Sequence, residues 1–160
     1  MPTAIKNSII DISLEKTTKE LARNFSNYLK GGEVIFLYGE IGVGKTTFAR
    51  LLINSFESEK KIKKSEVLSP TFNIVFEYEI KEFTIKHFDL YRLKNDNDIK
   101  NVGLYENLEQ SITLIEWPEL IKNKPKNLIE LFFSYEQDYN KRSLVISADS
   151  RKEIFDKFKL

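Results

Sequence analysis

The sequence contains no cysteine, only one histidine and no long apolar run. Without cysteine the chain can form neither a disulfide framework nor a thiolate zinc site, and it has no cysteine nucleophile. No segment approaches the roughly 20 apolar residues of a membrane-spanning helix. The first residues, 1–11, also lack the basic region and apolar stretch of a signal peptide. These absences predict a cytoplasmic protein that does not contact a membrane.

The chain also lacks an excess of charge, since 25 Lys and Arg side chains and 24 Asp and Glu side chains leave a formal net charge of +1. No overall field therefore draws it to nucleic acid or anionic lipid, and such contacts would have to be local. With 160 residues, of which 41% are hydrophobic, the chain is long and apolar enough for one domain with its own core. We expect that domain to span residues 1–160.

Hydrophobic periodicity predicts alternating strands and helices in the first half of the chain. A short apolar strand at Ile9–Ile12 precedes apolar residues at helical spacing over Leu14–Leu29. The continuous apolar run Val34–Tyr38 is typical of a strand covered on both faces. Helical spacing then resumes over Lys45–Phe56.

The second half is predicted to contain further strands separated by polar loops. Two strand candidates, Asn73–Ile80 and Phe83–Phe88, are joined by only two residues, as in a hairpin. We also predict exposed loops at 57–65 and 95–101, a short helix at 103–108, strands at 111–115, 128–135 and 144–148, and a terminal helix or tail at 150–160.

A glycine-rich segment joins the apolar strand Val34–Tyr38 to the following helix, and we call residues 39–46 the glycine loop. It consists of Gly39, Glu40, Ile41, Gly42, Val43, Gly44, Lys45 and Thr46, and Thr47 follows it. Glycines permit a backbone whose N–H groups surround phosphate oxygens, a lysine supplies a point charge, and the next hydroxyl can bind Mg²⁺. This pattern predicts that these residues bind ATP with Mg²⁺. It also predicts the α/β P-loop NTPase fold, a single domain in which helices flank a central mixed, mostly parallel sheet.

A site for Mg²⁺ and nucleotide also needs a carboxylate, usually at the end of a neighbouring strand. Glu116 follows a buried-strand run, whereas Asp89 follows a more mixed one. We favour Glu116, together with Thr46, as the metal ligand. Asp89 would then lie beside the γ phosphate, where it either orients the attacking water or contacts Mg²⁺ through water. Lys45 would stabilise the charge that develops at the γ phosphate.

Three other features each permit two interpretations. His87 should face the same side of its strand as Asp89, either as a packed, hydrogen-bonded side chain or as a catalytic base. Trp117 either covers the core or stacks on a ligand or partner. The lysines of the predicted 57–65 loop either lie in solvent or bind tRNA phosphates, and they are Lys60, Lys61, Lys63 and Lys64.

The residues do not support guanine specificity. Asp89 is not followed by the glycine of a GTPase switch, and the segment 123–126 has Lys126 where a guanine-reading carboxylate belongs. A small-molecule kinase is the alternative, because P-loop kinases share this size and phosphate site. Such kinases usually close an arginine-rich lid over the phosphates, whereas the arginines here are scattered at positions 23, 50, 92, 142 and 151.

Three more segments accompany the glycine loop, namely Leu68–Phe72, His87–Leu93 and Leu114–Glu119. In this order and at this chain length, the four motifs resemble those of the bacterial TsaE (YjeE) family of ATPases, over about Leu14 to Glu119. That family serves the biosynthesis of N6-threonylcarbamoyladenosine, beside the anticodon of tRNAs that read codons starting with A.

The resemblance implies a role for nucleotide hydrolysis that does not include transfer of the threonylcarbamoyl group. It implies that the protein binds the TsaB–TsaD pair, reaches tRNA only through that complex, and resets the complex by hydrolysing ATP. Residues 69–72 would be a first switch near the γ phosphate and residues 87–93 a second switch, with Thr71 and Asp89 as the sensors. Thr46 with Glu116 would hold Mg²⁺. Glu15 or Thr18 would lie near the adenine.

Overall fold

Seven strands form one sheet in the part of the chain that the structure, a computed structural model, describes, which is residues 9–148. The strands are β1 (Ile9–Asp11), β2 (Val34–Tyr38), β3 (Val75–Ile80), β4 (Phe83–Asp89), β5 (Ser111–Glu116), β6 (Leu128–Glu136) and β7 (Lys141–Ser147). The α-helices are α1 (Glu15–Tyr28), α2 (Lys45–Glu59) and α3 (Asp96–Asn101). Two single 3₁₀ turns lie at Leu108–Gln110 and Pro118–Leu120.

The strand order is β1-β7-β6-β2-β5-β4-β3. The four central strands β6, β2, β5 and β4 run parallel to one another. Antiparallel pairs add β3 at one edge, and β7 followed by β1 at the other. The predicted α/β class, with a mixed sheet that has a parallel core and flanking helices, is confirmed. The carboxyl ends of the four parallel strands meet at one edge, where open α/β sheets bind their ligands.

The central strand β2 is buried on both faces, as its continuous apolar sequence predicted. Ile35 and Leu37 face a core that also contains residues of α1 and α2. These two helices pack together, and the rings of Phe25 and Phe48 meet edge to face with centroids 5.5 Å apart. The beginning of α2 is thereby held at the carboxyl end of β2.

The opposite face of the sheet has a smaller core of its own. Phe36 and Ile115 contribute to it from β2 and β5, and Ile99 of α3 joins them. Leu104 and Ile121, from the segments before and after β5, complete the cover. No described helix, within residues 9–148, is long and apolar enough to cross a membrane.

The polar segments differ from their predicted conformations. Residues 57–59 belong to α2 and not to a loop, because the buried side chain of Glu57 accepts a hydrogen bond from the backbone N–H of Ser65, 3.0 Å away. The predicted loop at 95–101 contains α3. The Asn95 side chain caps this helix by accepting from the backbone N–H of Asp98 at 3.0 Å.

The predicted helix at 103–108 was wrong, because positive φ angles at Gly103 (73°) and Asn107 (53°) break the segment into turns. The hairpin of β3 and β4 is confirmed, although β3 begins two residues later than predicted, after Ile74 with φ of 70°. The last strand begins earlier than predicted, at Lys141. The predicted terminal helix or tail at 150–160 lies outside the described residues.

Candidate functional site

The glycine loop lies at the carboxyl end of β2 and leads into α2. Gly39 has φ of 143°, and a β-carbon there would lie 2.7 Å from the carbonyl oxygen of Phe133 on β6. Gly44 has φ of 122°, and it provides no side-chain cap for α2. The first helical hydrogen bond runs from the N–H of Phe48 to the carbonyl of Gly44 at 2.9 Å. The N–H groups of residues 45–47 precede that bond, so this helix end can offer them to an anion.

The Lys45 side chain is almost completely buried at this helix end. Its Nζ donates hydrogen bonds to the carbonyl oxygens of Gly39 and Glu40, and it lies 3.8 Å from the centroid of the Trp117 ring. Burial lowers the pKa of the Lys45 ammonium below its usual value, while nearby carboxylates oppose the shift, Glu116 most strongly. Lys45 is thus a positive charge held at a fixed place by the backbone of the loop.

Thr46 and Glu116 are brought together across the sheet. The Thr46 hydroxyl donates to Oε1 of Glu116 at 2.8 Å. The same oxygen lies 2.8 Å from Nε2 of His87, whose side chain is fully buried. Register places Asp89 of β4 beside Glu116 of β5, so both carboxylates end neighbouring parallel strands. Thr46 and Glu116, the two side chains predicted to bind Mg²⁺, therefore lie next to each other.

Asp89 links the two segments that the resemblance to the TsaE family implies are switches. Its Oδ2 accepts a hydrogen bond from the Thr71 hydroxyl at 2.8 Å, and its Oδ1 accepts from the backbone N–H of Tyr91 at 2.9 Å. The hydroxyls of Ser69 and Thr71 are 2.9 Å apart. Arg92 does not pair with Asp89, because its guanidinium donates to the carbonyl of Phe72 at 3.2 Å. Asp89 is therefore directed at the 69–71 segment.

These groups line one cleft of about 180 Å³. Its lining consists of Ile41, Gly42, Gly44, Lys45, Thr46, Thr47, Ser69, Thr71, Asp89, Glu116 and Trp117. Predicted site residues from four separate segments thus converge. His87 is not part of the lining and lies behind Glu116, so its side chain is not accessible from the cleft. This position favours the packed, hydrogen-bonded interpretation of His87 over a catalytic base.

Glu15 and Thr18, predicted to lie near the adenine, are on α1 and do not line the cleft. The Glu15 carboxylate is exposed and lies 3.6 Å from the guanidinium of Arg50 on α2. Thr18 is buried against the core. Their predicted contact with adenine stays a prediction.

Trp117 follows β5 directly and has φ of 57°, in the left-handed region that a tryptophan rarely adopts. Its ring packs against that of Tyr91, with centroids 4.9 Å apart, and over Lys45. The side chain is partly exposed and lines the cleft, so Trp117 forms part of the site surface and not part of the core. Strained backbone of this kind is found preferentially at functional sites.

Two residues of β6 that support the glycine loop had no signal in the sequence. The Tyr135 hydroxyl donates to the carbonyl of Ile41 at 3.2 Å, and Phe133 packs against Gly39. In the sequence both belong to an ordinary strand alternation. Only the pairing of β6 with β2 brings them to the loop.

The lysine segment after α2 is at the surface. Lys61, Lys63 and Lys64 are exposed, whereas the Nζ of Lys60 lies 3.0 Å from the carboxylate of Glu82. This arrangement is typical of a solvated surface segment. Binding of tRNA by these lysines stays a prediction.

Comparison with known proteins supplies the family. Residues 12–144 match the model of the family described as threonylcarbamoyl adenosine biosynthesis protein TsaE. The chain belongs to the TsaE family. The TsaE protein of Rickettsia bellii is 43% identical over 126 residues, which are 78% of this chain and 85% of that protein. The TsaE protein of Bacillus subtilis is 27% identical over 139 residues, covering 86% of this chain and 84% of that one.

The fold of the TsaE chain also resembles a solved structure. The crystal structure of Bacillus subtilis YdiB aligns with a TM-score of 0.69 over 94% of this chain and 91% of that chain, at 24% identity. The match to the family model and the identity with the Rickettsia bellii protein confirm the resemblance to the TsaE family inferred from the four motifs. The family takes part in the biosynthesis of tRNA threonylcarbamoyladenosine.

Proposed function

We propose that the protein binds and hydrolyses ATP with Mg²⁺, and that its nucleotide state controls the TsaB–TsaD complex in tRNA threonylcarbamoyladenosine biosynthesis. The observation that carries the proposal is the convergence of Lys45, Thr46, Asp89 and Glu116 on one cleft beside the glycine loop. ATP carries a compact row of negative oxygens and a bound divalent cation, and a cleft with these side chains is suited to bind both.

The phosphate groups of ATP suit the helix end at Lys45. Gly42 and Gly44 leave the backbone uncrowded, and the N–H groups of residues 45–47 precede the first hydrogen bond of α2. The ammonium of Lys45 is fixed by the carbonyls of Gly39 and Glu40, and Lys45 lines the same cleft. Backbone amides, a helix dipole and a fixed cation together stabilise the charge of a triphosphate.

The residues present also fit Mg²⁺. Mg²⁺ prefers oxygen ligands and is usually held by one or two carboxylates, waters and substrate phosphates. Thr46 and Glu116 supply such oxygens 2.8 Å apart. Within residues 9–148 no group of three or more His, Cys, Asp or Glu could hold a metal by itself, so phosphate oxygens and water would complete the shell. When bound, Mg²⁺ neutralises charge on the phosphates.

The proposed reaction is attack of water on the γ phosphate, in line with the leaving oxygen of ADP. A bond forms between the water oxygen and phosphorus as the bond to the bridging oxygen breaks, and the products are ADP and inorganic phosphate. Lys45 and the loop amides stabilise the charge that develops. Asp89, hydrogen-bonded to Thr71, orients the water or holds the sensor hydroxyl near the phosphate.

Membership of the TsaE family supports the link to TsaB and TsaD. The surface around the cleft is also suited to a partner. Phe72 is 83% exposed and Tyr91 57% exposed, and both lie in the two segments that Asp89 joins. A contiguous exposed apolar patch is typical of interaction sites, and the two side chains would contribute to such a patch beside the cleft. A change at the γ phosphate would reach this surface through Thr71 and Asp89.

The direct test is release of inorganic phosphate from ATP labelled at the γ position, with Mg²⁺ or with excess EDTA. The proposal predicts slow, Mg²⁺-dependent release of free phosphate by the protein alone. Recovery of the label on a nucleoside or sugar acceptor would instead support the small-molecule kinase.

The two carboxylates should differ in their effect on hydrolysis. Glu116→Ala is expected to lower the Mg²⁺-dependent rate by on the order of 100-fold, because it removes the carboxylate next to Thr46. Asp89→Ala is expected to have the smaller effect, because Asp89 holds Thr71 and the backbone of Tyr91. The measurement is the rate against Mg²⁺ concentration for both variants, after circular dichroism has established that each is folded. A larger defect in Asp89→Ala would move the metal ligand to Asp89.

A further inference from the structure

The Glu116 carboxylate is held from one side only. Its Oε1 accepts from the Thr46 hydroxyl at 2.8 Å and lies 2.8 Å from Nε2 of His87. Among the described residues, its Oε2 has no hydrogen bond, and Glu116 lines the cleft. One oxygen is therefore fixed by two donors, while the other remains for a ligand.

His87 has no other hydrogen-bonding role within residues 9–148. Its ring is completely buried, and its Nδ1 has no hydrogen-bond partner. A carboxylate that serves as a Mg²⁺ ligand only accepts hydrogen bonds, so that role of Glu116 requires the tautomer of His87 with its hydrogen on Nε2. A buried polar atom without a hydrogen-bond partner destabilises the fold. Burial of His87 with an unsatisfied Nδ1 therefore lowers the stability of the fold. This cost indicates that the one hydrogen bond of the ring, from Nε2 to Glu116, serves a function.

We propose that His87 is a positioning residue that fixes the Glu116 carboxylate for Mg²⁺. A glutamate has three rotatable side-chain bonds, and the bond from His87 restricts them so that Oε1 stays on Thr46. Second partners of this kind orient a metal ligand and raise its affinity. The inference rests on the proposed function, because it concerns the site at which Mg²⁺ joins the nucleotide. His87 itself is fully buried and does not line the cleft.

Three substitutions separate hydrogen bonding from packing. The amide nitrogen of glutamine reaches the position of histidine Nε2, whereas that of asparagine reaches only the position of Nδ1, which has no partner here. Phenylalanine fills the space without a donor. His87→Gln should therefore retain the function of His87, and both His87→Asn and His87→Phe should lose it.

The measurement is the affinity for ADP by calorimetric titration, once with Mg²⁺ and once with excess EDTA. The ratio of the two affinities reports Mg²⁺ binding without any turnover. His87→Asn and His87→Phe are expected to lower the gain from Mg²⁺ by about 10-fold to 100-fold, with the affinity in EDTA unchanged. His87→Gln is expected to keep most of the gain.

Several results would overturn this role. An unchanged Mg²⁺ gain in His87→Asn and His87→Phe would do so, and so would an equal loss of affinity with and without Mg²⁺, which indicates damage to packing alone. If the unaltered protein binds ADP equally with Mg²⁺ and with EDTA, the metal site under the proposed function is wrong, and the role of His87 is wrong with it. Because the unaltered protein alone gives that result, failure of the metal site can be told apart from failure of the role of His87.

Discussion

Replacement of Lys45 by alanine is expected to lower Mg²⁺-dependent ATP hydrolysis by on the order of 100-fold or more, about 2.7 kcal/mol of transition-state stabilisation. The reason is the position of the ammonium. It is buried at the start of α2, held by the carbonyls of Gly39 and Glu40, and lies among the residues that line the cleft. No other cationic side chain lines this cleft among the described residues, so no neighbour can replace the lost charge.

The matched control is Lys60→Ala. Lys60 lies just after the other end of α2, and its ammonium is 3.0 Å from the exposed carboxylate of Glu82. Loss of such a surface pair has little effect on stability and should leave hydrolysis within about two-fold of normal. Phosphate release measured for both variants decides the point. If Lys45→Ala retained more than half of the activity, Lys45 would not stabilise the reacting phosphate.

Replacement of Gly39 by alanine is expected to lower the free energy of unfolding by about 2–5 kcal/mol. Two effects combine. The φ of 143° is strained for any residue with a β-carbon, and the added carbon would lie 2.7 Å from the Phe133 carbonyl oxygen and 2.8 Å from Cγ1 of Val43. Because β6, β2 and the glycine loop would have to move apart, nucleotide binding should be lost together with stability. Urea denaturation and ADP titration measure the two losses.

Gly31→Ala is the control for the conformational cost of a positive φ angle. Gly31 also has a positive φ, 114°, but its added β-carbon would lie 3.8 Å from Cβ of Phe83, an ordinary contact. Only the conformational cost should remain there, about 1–2 kcal/mol. Equal destabilisation by the two variants would mean that the close approach of Phe133 is unimportant.

The parts of the site that could be predicted from the sequence are local in the chain. The run Val34–Tyr38, the glycine loop and the helical spacing after it are consecutive, and each has a strong pattern of its own. That Glu116 ends a buried strand was also visible in the sequence, because Ile112, Leu114 and Ile115 make the strand largely apolar. Parallel strands then bring their ends to one edge.

What could not be predicted depends on contacts between distant segments. The bond between His87 and Glu116 follows from the register of β4 against β5, and the contacts of Phe133 and Tyr135 with the loop follow from β6 lying beside β2. Hydrophobic alternation shows which face a residue occupies, but not which strand is its neighbour. His87 was correctly predicted to share a face of its strand with Asp89, but its hydrogen-bond partner, Glu116, was not predicted.

The errors in secondary structure have the same origin. Helix α3 has a single buried residue, Ile99, so six residues contain too little periodicity to reveal it. The capping side chain of Asn95 was the available signal. The end of α2 was missed because Glu57 is polar yet buried, and its hydrogen bond to Ser65 is visible only in three dimensions.

The control of a partner complex by nucleotide is tested most directly by measuring phosphate release from ATP with and without purified TsaB–TsaD, with Lys45→Ala as the blank. The account predicts slow release by the protein alone, a several-fold increase when the pair is added, and no increase in Lys45→Ala. An unchanged rate, together with no binding of the pair in the presence of ATP and Mg²⁺, would contradict it.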